Sequence, residues 1–143
     1  MKVSEGKVGR VFVVRLEDGD RLPEAIENLA ADKNIRAASV ILLGGIRRGK
    51  VVVGPETPAV PPKPMTESFQ DVHEIAAVGT IFANGEGKPI LHLHGALGRD
   101  GRTITGCTRT GVEVWLVAEA IITEITGTNA HRVNEAGLEL LEP

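Results

Sequence analysis

The feature that most constrains this chain is a succession of strand-length apolar segments, most of them separated by short turn signals. Residues 8–16, 37–43 and 73–82 are rich in β-branched or aliphatic side chains, and each segment ends close to a glycine. Apolar runs bounded by turn residues are typical of β-strands. By the same criterion further strands are expected at residues 50–53, 90–97, 103–109 and 112–125. The sequence therefore predicts about six or seven strands.

One segment has helical periodicity. Between residues 22 and 33, apolar side chains recur at the spacing of one helix face, namely Leu22, Ile26, Leu29 and Ala30. Asp20 is placed to cap this helix, and Pro23 and Glu24 suit its first turn. The sequence thus predicts one well-defined helix directly after the first strand.

Glycine and proline are expected to interrupt the middle of the chain. Gly44-Gly45 is expected to end the strand before it, and residues 54–65 hold five of the eight prolines, so they are expected to form a loop. This loop is either a lid or an ordered connection. Because many strands are joined by hairpin-length turns, the predicted fold class is α+β, a mainly antiparallel β-sheet with flanking helices. The chain, residues 1–143, has the length of one domain.

Charge and composition exclude several function classes. The net charge of -3 provides no overall attraction to nucleic acid or to an anionic membrane. No segment is apolar for long enough to span a bilayer, and the N-terminus does not resemble a signal peptide. A single cysteine, Cys107, rules out an internal disulfide, so we expect a soluble cytoplasmic protein.

The segment Leu91-His92-Leu93-His94 carries the strongest chemical signal. Side chains alternate along a strand, so the two histidines share one face while the leucines face the core. Two imidazoles placed two residues apart can reach one metal ion, with bonds of roughly 2.0 to 2.1 Å to zinc. The pair therefore predicts a metal site that needs a third ligand.

The register of the next hairpin decides whether Cys107 is that ligand. If only Asp100 and Gly101 form the turn, His94 faces Cys107; if residues 98–101 form the loop, His92 faces Cys107. A three-residue loop would turn the thiol to the other face. Together, one thiolate and two imidazoles suit zinc better than magnesium.

Other interpretations of these residues remain open at this stage. The histidines and Cys107 are ordinary strand residues in the simplest alternative, and Cys107 with His92 forms a nucleophile and base in another. Glu74 is a candidate acceptor or general base beside the site if its strand neighbours the hairpin. Arg109 shares the face of Cys107 and would suit a carboxylate-bearing ligand, unless it simply reaches solvent.

Several motifs together resemble the plants-and-prokaryotes conserved (PPC) domain. They follow that family's order and spacing over nearly the whole chain: Arg15-Leu16-Glu17-Asp18-Gly19-Asp20, Leu43-Gly44-Gly45-Ile46, His73-Glu74-Ile75, Gly87-Lys88-Pro89-Ile90-Leu91-His92-Leu93-His94, Asp100-Gly101, Thr105-Gly106-Cys107 and Gly111-Val112-Glu113-Val114. The resemblance implies an antiparallel sheet with flanking helices, similar to the acetolactate-decarboxylase type of fold, and a homotrimer. It also implies that His92 and His94 belong to a histidine cluster.

The chain departs from the family pattern at the expected third ligand. Where the family has Gly-Gly-His-Leu, this sequence has Thr105-Gly106-Cys107-Thr108. Cysteine can still bind zinc, so the site is either retained or weakened. His73 stands where the family commonly has an aromatic residue, and it either compensates for the change or only replaces a core side chain.

Two function classes follow. Prokaryotic members of the family are provisionally named as DNA-binding, but this chain has no AT-hook, and its one basic cluster is Arg47, Arg48 and Lys50. The other class is a zinc-dependent protein that binds or converts a small anionic molecule. The sequence favours the second class, with DNA binding as the alternative, and leaves open whether the protein is an enzyme.

Overall fold

The computed structural model describes residues 1–109 and 111–143, which form ten β-strands and one α-helix. In chain order the elements are β1 (Lys7–Glu17), β2 (Arg21–Leu22), α1 (Glu24–Asp32), β3 (Ala37–Pro55), β4 (Pro64–Phe69), β5 (His73–Ala83), β6 (Pro89–Arg99), β7 (Arg102–Thr108), β8 (Val112–Thr126), β9 (His131–Glu135) and β10 (Leu138–Glu142). Within these described residues, no helix has the length and apolar character needed to cross a bilayer.

The main sheet has eight strands, and every pairing in it is antiparallel. Its central order is β1-β8-β3-β5-β6-β7, with β2 added beside β8 and β4 beside β3. Strand β3 is long enough to pair with β5 along its first part and with β7 at Val51 and Val52. The strands β3, β5, β6 and β7 therefore close a circuit of paired strands. The predicted antiparallel sheet is confirmed, but one short helix flanks it within the described residues instead of several.

The predicted break at Gly44-Gly45 is wrong. Strand β3 continues through both glycines, and its pairing with β8 shifts register between Gly44 and Ile46. Gly44 has a φ of +138°, and a Cβ there would lie 2.5 Å from the Cα of Ala118. The glycine therefore allows β8 to approach closely at an irregularity within a continuous strand. The segment predicted as a separate strand at residues 50–53 is the far part of β3.

The predicted helix is present but shorter, and Asp20 does not cap it. No side chain caps α1, whose N-cap residue is Pro23. The Oδ2 of Asp20 instead accepts a hydrogen bond of 2.8 Å from the backbone N–H of Glu17, which holds the preceding turn. Ile26 and Ala30 of α1 are fully buried, as the helical periodicity predicts.

Four strands, β2, β4, β9 and β10, lie outside the predicted set. In β4 only Phe69 is buried, so the segment has no apolar alternation that would mark it as a strand. The proline-rich connection is correspondingly shorter than predicted, because β3 ends at Pro55 and β4 begins at Pro64. Proline is tolerated at both positions because each lies at the end of a strand, where ladder pairing stops.

The two faces of the main sheet differ in character. The inner face packs with α1 around buried aliphatic residues such as Leu42, Ile81 and Ile122. The outer face keeps several large apolar side chains exposed, among them Val13 and Ile41. The histidine pair of β6 lies on this outer face.

Candidate metal centre

The hairpin of β6 and β7 brings Cys107 to the histidine pair. Arg99 pairs with Arg102, so the turn consists of Asp100 and Gly101 alone, and both have positive φ values, of 50° and 73°. This is the two-residue geometry that Asp-Gly favours. Of the three registers considered from the sequence, the structure has the one in which Cys107 faces His94.

Alternation along β6 separates the core residues from the ligands as predicted. Leu91 and Leu93 are buried, while His92 and His94 are exposed on the opposite face. Their Nε2 atoms are 3.1 Å apart, and the rings meet edge to face with centroids 4.9 Å apart. The donor atoms of His92, His94 and Cys107 all lie within 4.8 Å of one another. The structure thus brings together the three predicted metal ligands.

These distances fit a zinc ion with little adjustment. Two imidazole nitrogens on one tetrahedral zinc ion lie roughly 3.3 Å apart, close to the 3.1 Å between His92 and His94. A zinc-bound sulfur lies roughly 3.6 Å from each nitrogen, and because the three donor atoms lie within 4.8 Å of one another, a movement of roughly 1 Å at most brings the Cys107 sulfur to that distance. Two imidazoles and one thiolate leave a fourth tetrahedral position open, which is the pattern of sites that bind a further ligand.

The electrostatic environment favours metal binding by His92 more than by Cys107. Burial, and then the charge of Arg132, lower the pKa of His92, which keeps its imidazole neutral and able to donate a lone pair. Burial raises the pKa of the Cys107 thiol, and the nearby Arg109 partly opposes that effect. A metal ion must therefore displace the thiol proton. The same raised pKa argues against a Cys107 and His92 nucleophilic pair, as does the register, which places His94 opposite Cys107.

The three ligands lie in the wall of a cleft of about 660 Å³. Its other walls come from the far part of β3, the proline-rich connection and the tip of the β9–β10 hairpin, at Val52, Val53, Gly54, Pro55, Pro62, Pro64, Gly137 and Leu138. Gly106 makes this arrangement possible, because a Cβ on it would lie 2.4 Å from the backbone oxygen of Val52. The proline-rich segment that the sequence predicts as a loop therefore borders the site. This position suits either a lid or an ordered connection.

Two arginines lie beside the metal ligands. Arg109, predicted from the sequence, lines the cleft. After the effect of burial, its positive charge acts to lower the pKa of both His92 and Cys107. Arg132 was not predicted, because it follows the last apolar strand in a polar segment with no recognisable motif. It reaches the site through the β9–β10 hairpin, which folds back over the outer face near Thr80.

The structure does not bring His73 or Glu74 to the site. Strand β5 does neighbour β6, but Val78 faces His94, and Glu74 pairs with Gly98 four residues further along. That separation is roughly 13 Å along a strand. His73 points into the opposite, buried side, where its Nδ1 lies 2.6 Å from the carbonyl oxygen of Asp71 and its ring meets Phe69. Neither residue supplements the metal ligands.

Carboxylates of the same chain offset part of the positive charge of the basic cluster of Arg47, Arg48 and Lys50. Arg48 donates a 2.6 Å hydrogen bond to Glu113, and Arg47 pairs with both Asp18 and Glu113. Glu113 is mostly buried, and its pKa is lowered chiefly by the hydrogen bond from Arg48. Two of the three predicted DNA contacts are therefore engaged with carboxylates of the same chain.

Comparison with known proteins gives one family and several similar structures. A family model described as the Plants and Prokaryotes Conserved (PCC) domain matches residues 3–126. No curated protein matches the chain.

Among solved structures, the chain is similar to a protein from Archaeoglobus fulgidus described as metal-containing, with 25% identity, a TM-score of 0.87 and complete coverage of both chains. It is similar to a plant- and prokaryote-conserved protein from Pyrococcus horikoshii, with 23% identity and a TM-score of 0.86 over 100% of this chain and 98% of the other. A protein from Ralstonia eutropha, provisionally described as DNA-binding, has 20% identity and a TM-score of 0.76 over 92% of this chain and 90% of the other.

Proposed function

This chain belongs to the Plants and Prokaryotes Conserved (PCC) domain family, and on that basis we propose that it uses a zinc site to bind or convert a small molecule. The match over residues 3–126 confirms the resemblance found in the sequence. One observation carries the proposal: the donor atoms of His92, His94 and Cys107 lie within 4.8 Å of one another in the wall of a cleft.

The composition of the site supports zinc and a small ligand. Two imidazoles and a thiolate are borderline-soft donors, which favour zinc over magnesium or calcium. The similar protein of Archaeoglobus fulgidus is described as metal-containing. When bound here, zinc would supply a Lewis acid at the cleft wall. The family's implied similarity to acetolactate decarboxylase also favours small-molecule chemistry, as an analogy between folds.

Metal analysis of protein purified without an affinity tag tests this proposal. We expect the wild type to retain about one zinc ion per chain, and His94→Ala to weaken zinc binding at least tenfold in competition with a chromophoric chelator. His131→Ala is the matched control, because His131 lies on β9 and its Nδ1 contacts the carbonyl oxygen of Asn129. Absence of zinc binding by the wild type, or equal binding by His94→Ala, would overturn the proposal.

We also propose that the chain forms a homotrimer through the outer face of its main sheet. One row of paired residues crosses β1, β8, β3 and β5, and consists of Val13, Ile121, Ile41 and Val78. These side chains are between 39% and 83% exposed. An exposed apolar surface that spans several strands is typical of a protein interface.

This apolar row continues directly to the metal ligands. Val78 pairs with His94, and His94 pairs with Cys107. From Val13 to Cys107 the row crosses six strands, roughly 24 Å at the usual spacing. A subunit packed on this row would lie against the site.

A reducing compartment such as the cytoplasm suits the protein, because Cys107 binds metal as a free thiolate.

DNA binding is the second candidate function, and it has one specific surface. Arg47, Arg48 and Lys50 lie close together in β3 and line one surface cleft, and a trimer would present three such clusters. The ion pairs of Arg47 and Arg48 with Asp18 and Glu113 weaken this candidate, because paired guanidinium groups contribute less to phosphate binding. We therefore place it second to the zinc site.

A further inference from the structure

Arg132 is a buried cation next to the metal ligands. Only 5% of it is exposed, and its Nη2 donates a 3.0 Å hydrogen bond to Oγ1 of Thr80. Thr80 is the cross-strand partner of His92, so the arginine lies over the same face as the histidine pair. Its guanidinium carbon is also 5.7 Å from the ring centroid of Phe82. The C-terminal hairpin thus places the guanidinium group of Arg132 against the sheet, beside the histidine pair.

The charge of Arg132 has no ion-pair partner among the described residues. Its Nε–H is buried and has no hydrogen-bond acceptor there. Burial lowers the pKa of Arg132, and the carboxylate of Glu139 only partly opposes this effect, because it forms no ion pair with Arg132 and accepts a 3.2 Å hydrogen bond from Asn134 instead. A guanidinium group is unfavourable in a buried position unless an anion satisfies its charge and its donors. The environment of Arg132 is therefore incomplete without an anion.

Space for that anion exists beside Arg132. A second cleft of about 440 Å³ is lined by Arg109, Arg132, the acidic Glu139 and apolar residues of β6 and β10, including Ile90 and Leu140. It shares His92 and Arg109 with the larger cleft that contains the metal ligands. A ligand that spans both clefts would meet the guanidinium group of Arg132 in the smaller cleft and the metal ligands in the larger one, with Arg109 in the walls of both. Planar guanidinium groups with several N–H donors are the usual partners of carboxylate and phosphate groups.

We propose that Arg132 and Arg109 bind an oxyanion group, a carboxylate or a phosphate, of the small molecule that the zinc site serves. The proposal rests on the proposed function for the position of the metal, but the anion site itself is built from residues that are not metal ligands. Arg132 lies beyond residues 3–126, the part matched by the family model, so the C-terminal hairpin contributes this half of the site from outside the matched region.

The Nε–H signal of Arg132 in ¹⁵N-resolved NMR spectra gives a direct test. Acetate and inorganic phosphate are titrated separately into the wild type, with and without zinc, and the signal is assigned by its loss in Arg132→Lys. We expect a saturable shift of this signal with at least one of the two anions. The stronger of the two responses identifies the ligand group as a carboxylate or a phosphate.

Two variants make the test specific. Arg132→Lys keeps the charge but loses the forked donors, and it should bind the effective anion at least tenfold more weakly, measured by calorimetry. Arg102→Lys, at the exposed tip of the β6–β7 hairpin, should bind it within twofold of the wild type. Zinc binding is measured on the same samples, so that failure of the oxyanion site is distinguished from failure of the metal site.

If the wild type binds zinc but neither anion shifts the Arg132 signal at tens of millimolar, the oxyanion site is overturned while the metal site stands. If an anion shifts the signal in protein that binds no zinc, the oxyanion site stands without the metal site. The shift is measured in the wild type, so Arg132→Lys is needed only to assign the signal, and loss of the same signal in Arg132→Gln provides a second, independent assignment.

Discussion

His94 and Cys107 face each other directly across the β6–β7 hairpin, because the turn that joins the strands contains only Asp100 and Gly101. One more residue in that turn would move Cys107 to the opposite face of the sheet. The proposed metal site therefore depends on a turn whose residues take no part in its chemistry. The sequence resemblance implies a histidine at this position, and the register places the sulfur of Cys107, another metal-binding atom, there.

Cys107→Ser tests whether the thiol is a ligand. Cobalt(II) bound by the wild type should show the intense near-ultraviolet band of a sulfur-to-metal charge transfer, and the variant should lack it. We expect zinc binding to weaken at least tenfold, because serine provides a much poorer metal ligand. A cobalt complex of the wild type without this band would show that Cys107 does not bind the metal.

Gly106→Ala should disturb both stability and the site. The new Cβ would lie 2.4 Å from the backbone oxygen of Val52, so β3 and β7 must separate where Val52 pairs with Cys107. We expect a loss of about 2–4 kcal/mol in the free energy of unfolding, measured by denaturant titration. Gly85→Ala is the control, since nothing lies within 4 Å of the added methyl group. Equal stability of the two variants would contradict the close approach of the strands.

Acid should remove the contribution of the Arg10–Glu124 ion pair. Arg10 donates two hydrogen bonds of 2.7 Å to the largely buried carboxylate of Glu124, and these chiefly lower the pKa of Glu124 from 4.5 to about 2. Since the pKa is lower in the folded state, the stabilisation is complete above the unfolded pKa and disappears as the pH falls towards 2.

Glu124→Gln should therefore be less stable than the wild type at pH 7, and the difference should shrink steadily below about pH 4.5. Denaturant titrations at several pH values measure this. Glu86→Gln, in an exposed turn, should show no such pH-dependent difference. A difference for Glu124→Gln that stays constant down to pH 2.5 would exclude the ion pair as its source.

Val78→Glu tests the interface proposed on the outer face. Val78 is 65% exposed and lies next to Ile41 in the apolar row, so a carboxylate there should be tolerated in the monomer but not in a packed interface. We expect sedimentation to show a trimer for the wild type and a monomer for the variant, with unchanged circular dichroism. Val60→Glu is the control, because Val60 is 76% exposed in the proline-rich connection. A trimeric Val78→Glu protein would place the interface elsewhere.

Duplex DNA should not bind to the basic cluster. Because Arg47 and Arg48 are paired with carboxylates, we expect no salt-sensitive mobility shift of duplex DNA even at low ionic strength. A shift that Arg47→Ala and Arg48→Ala abolish would contradict this expectation and favour the DNA-binding alternative.

The sequence predicts the position of a residue correctly where that position depends on near neighbours in the chain, and it fails where the position depends on distant segments. His92 and Leu93 were assigned to the correct faces because alternation along a strand is local. The sequence around Gly44 predicts a strand end, which is wrong because this glycine lets β8 approach closely at Ala118, a residue distant in the sequence. The sequence around Arg132 has no motif that predicts a functional residue. Arg132 lies beside His92 only because the C-terminal hairpin folds back over Thr80.

By itself, the sequence determined six of the antiparallel strands, the position of α1, the core face of β6 and the residue types that are candidates for metal ligands. These features depend on periodicity, turn chemistry and donor type, which act over a few residues. The tertiary structure alone decided which hairpin register was adopted, that Glu74 is remote, that the basic cluster is paired with carboxylates, and that Arg132 joins the site. Each of these depends on contacts between segments far apart in the chain, whose pairing is selected by the packing of the whole sheet.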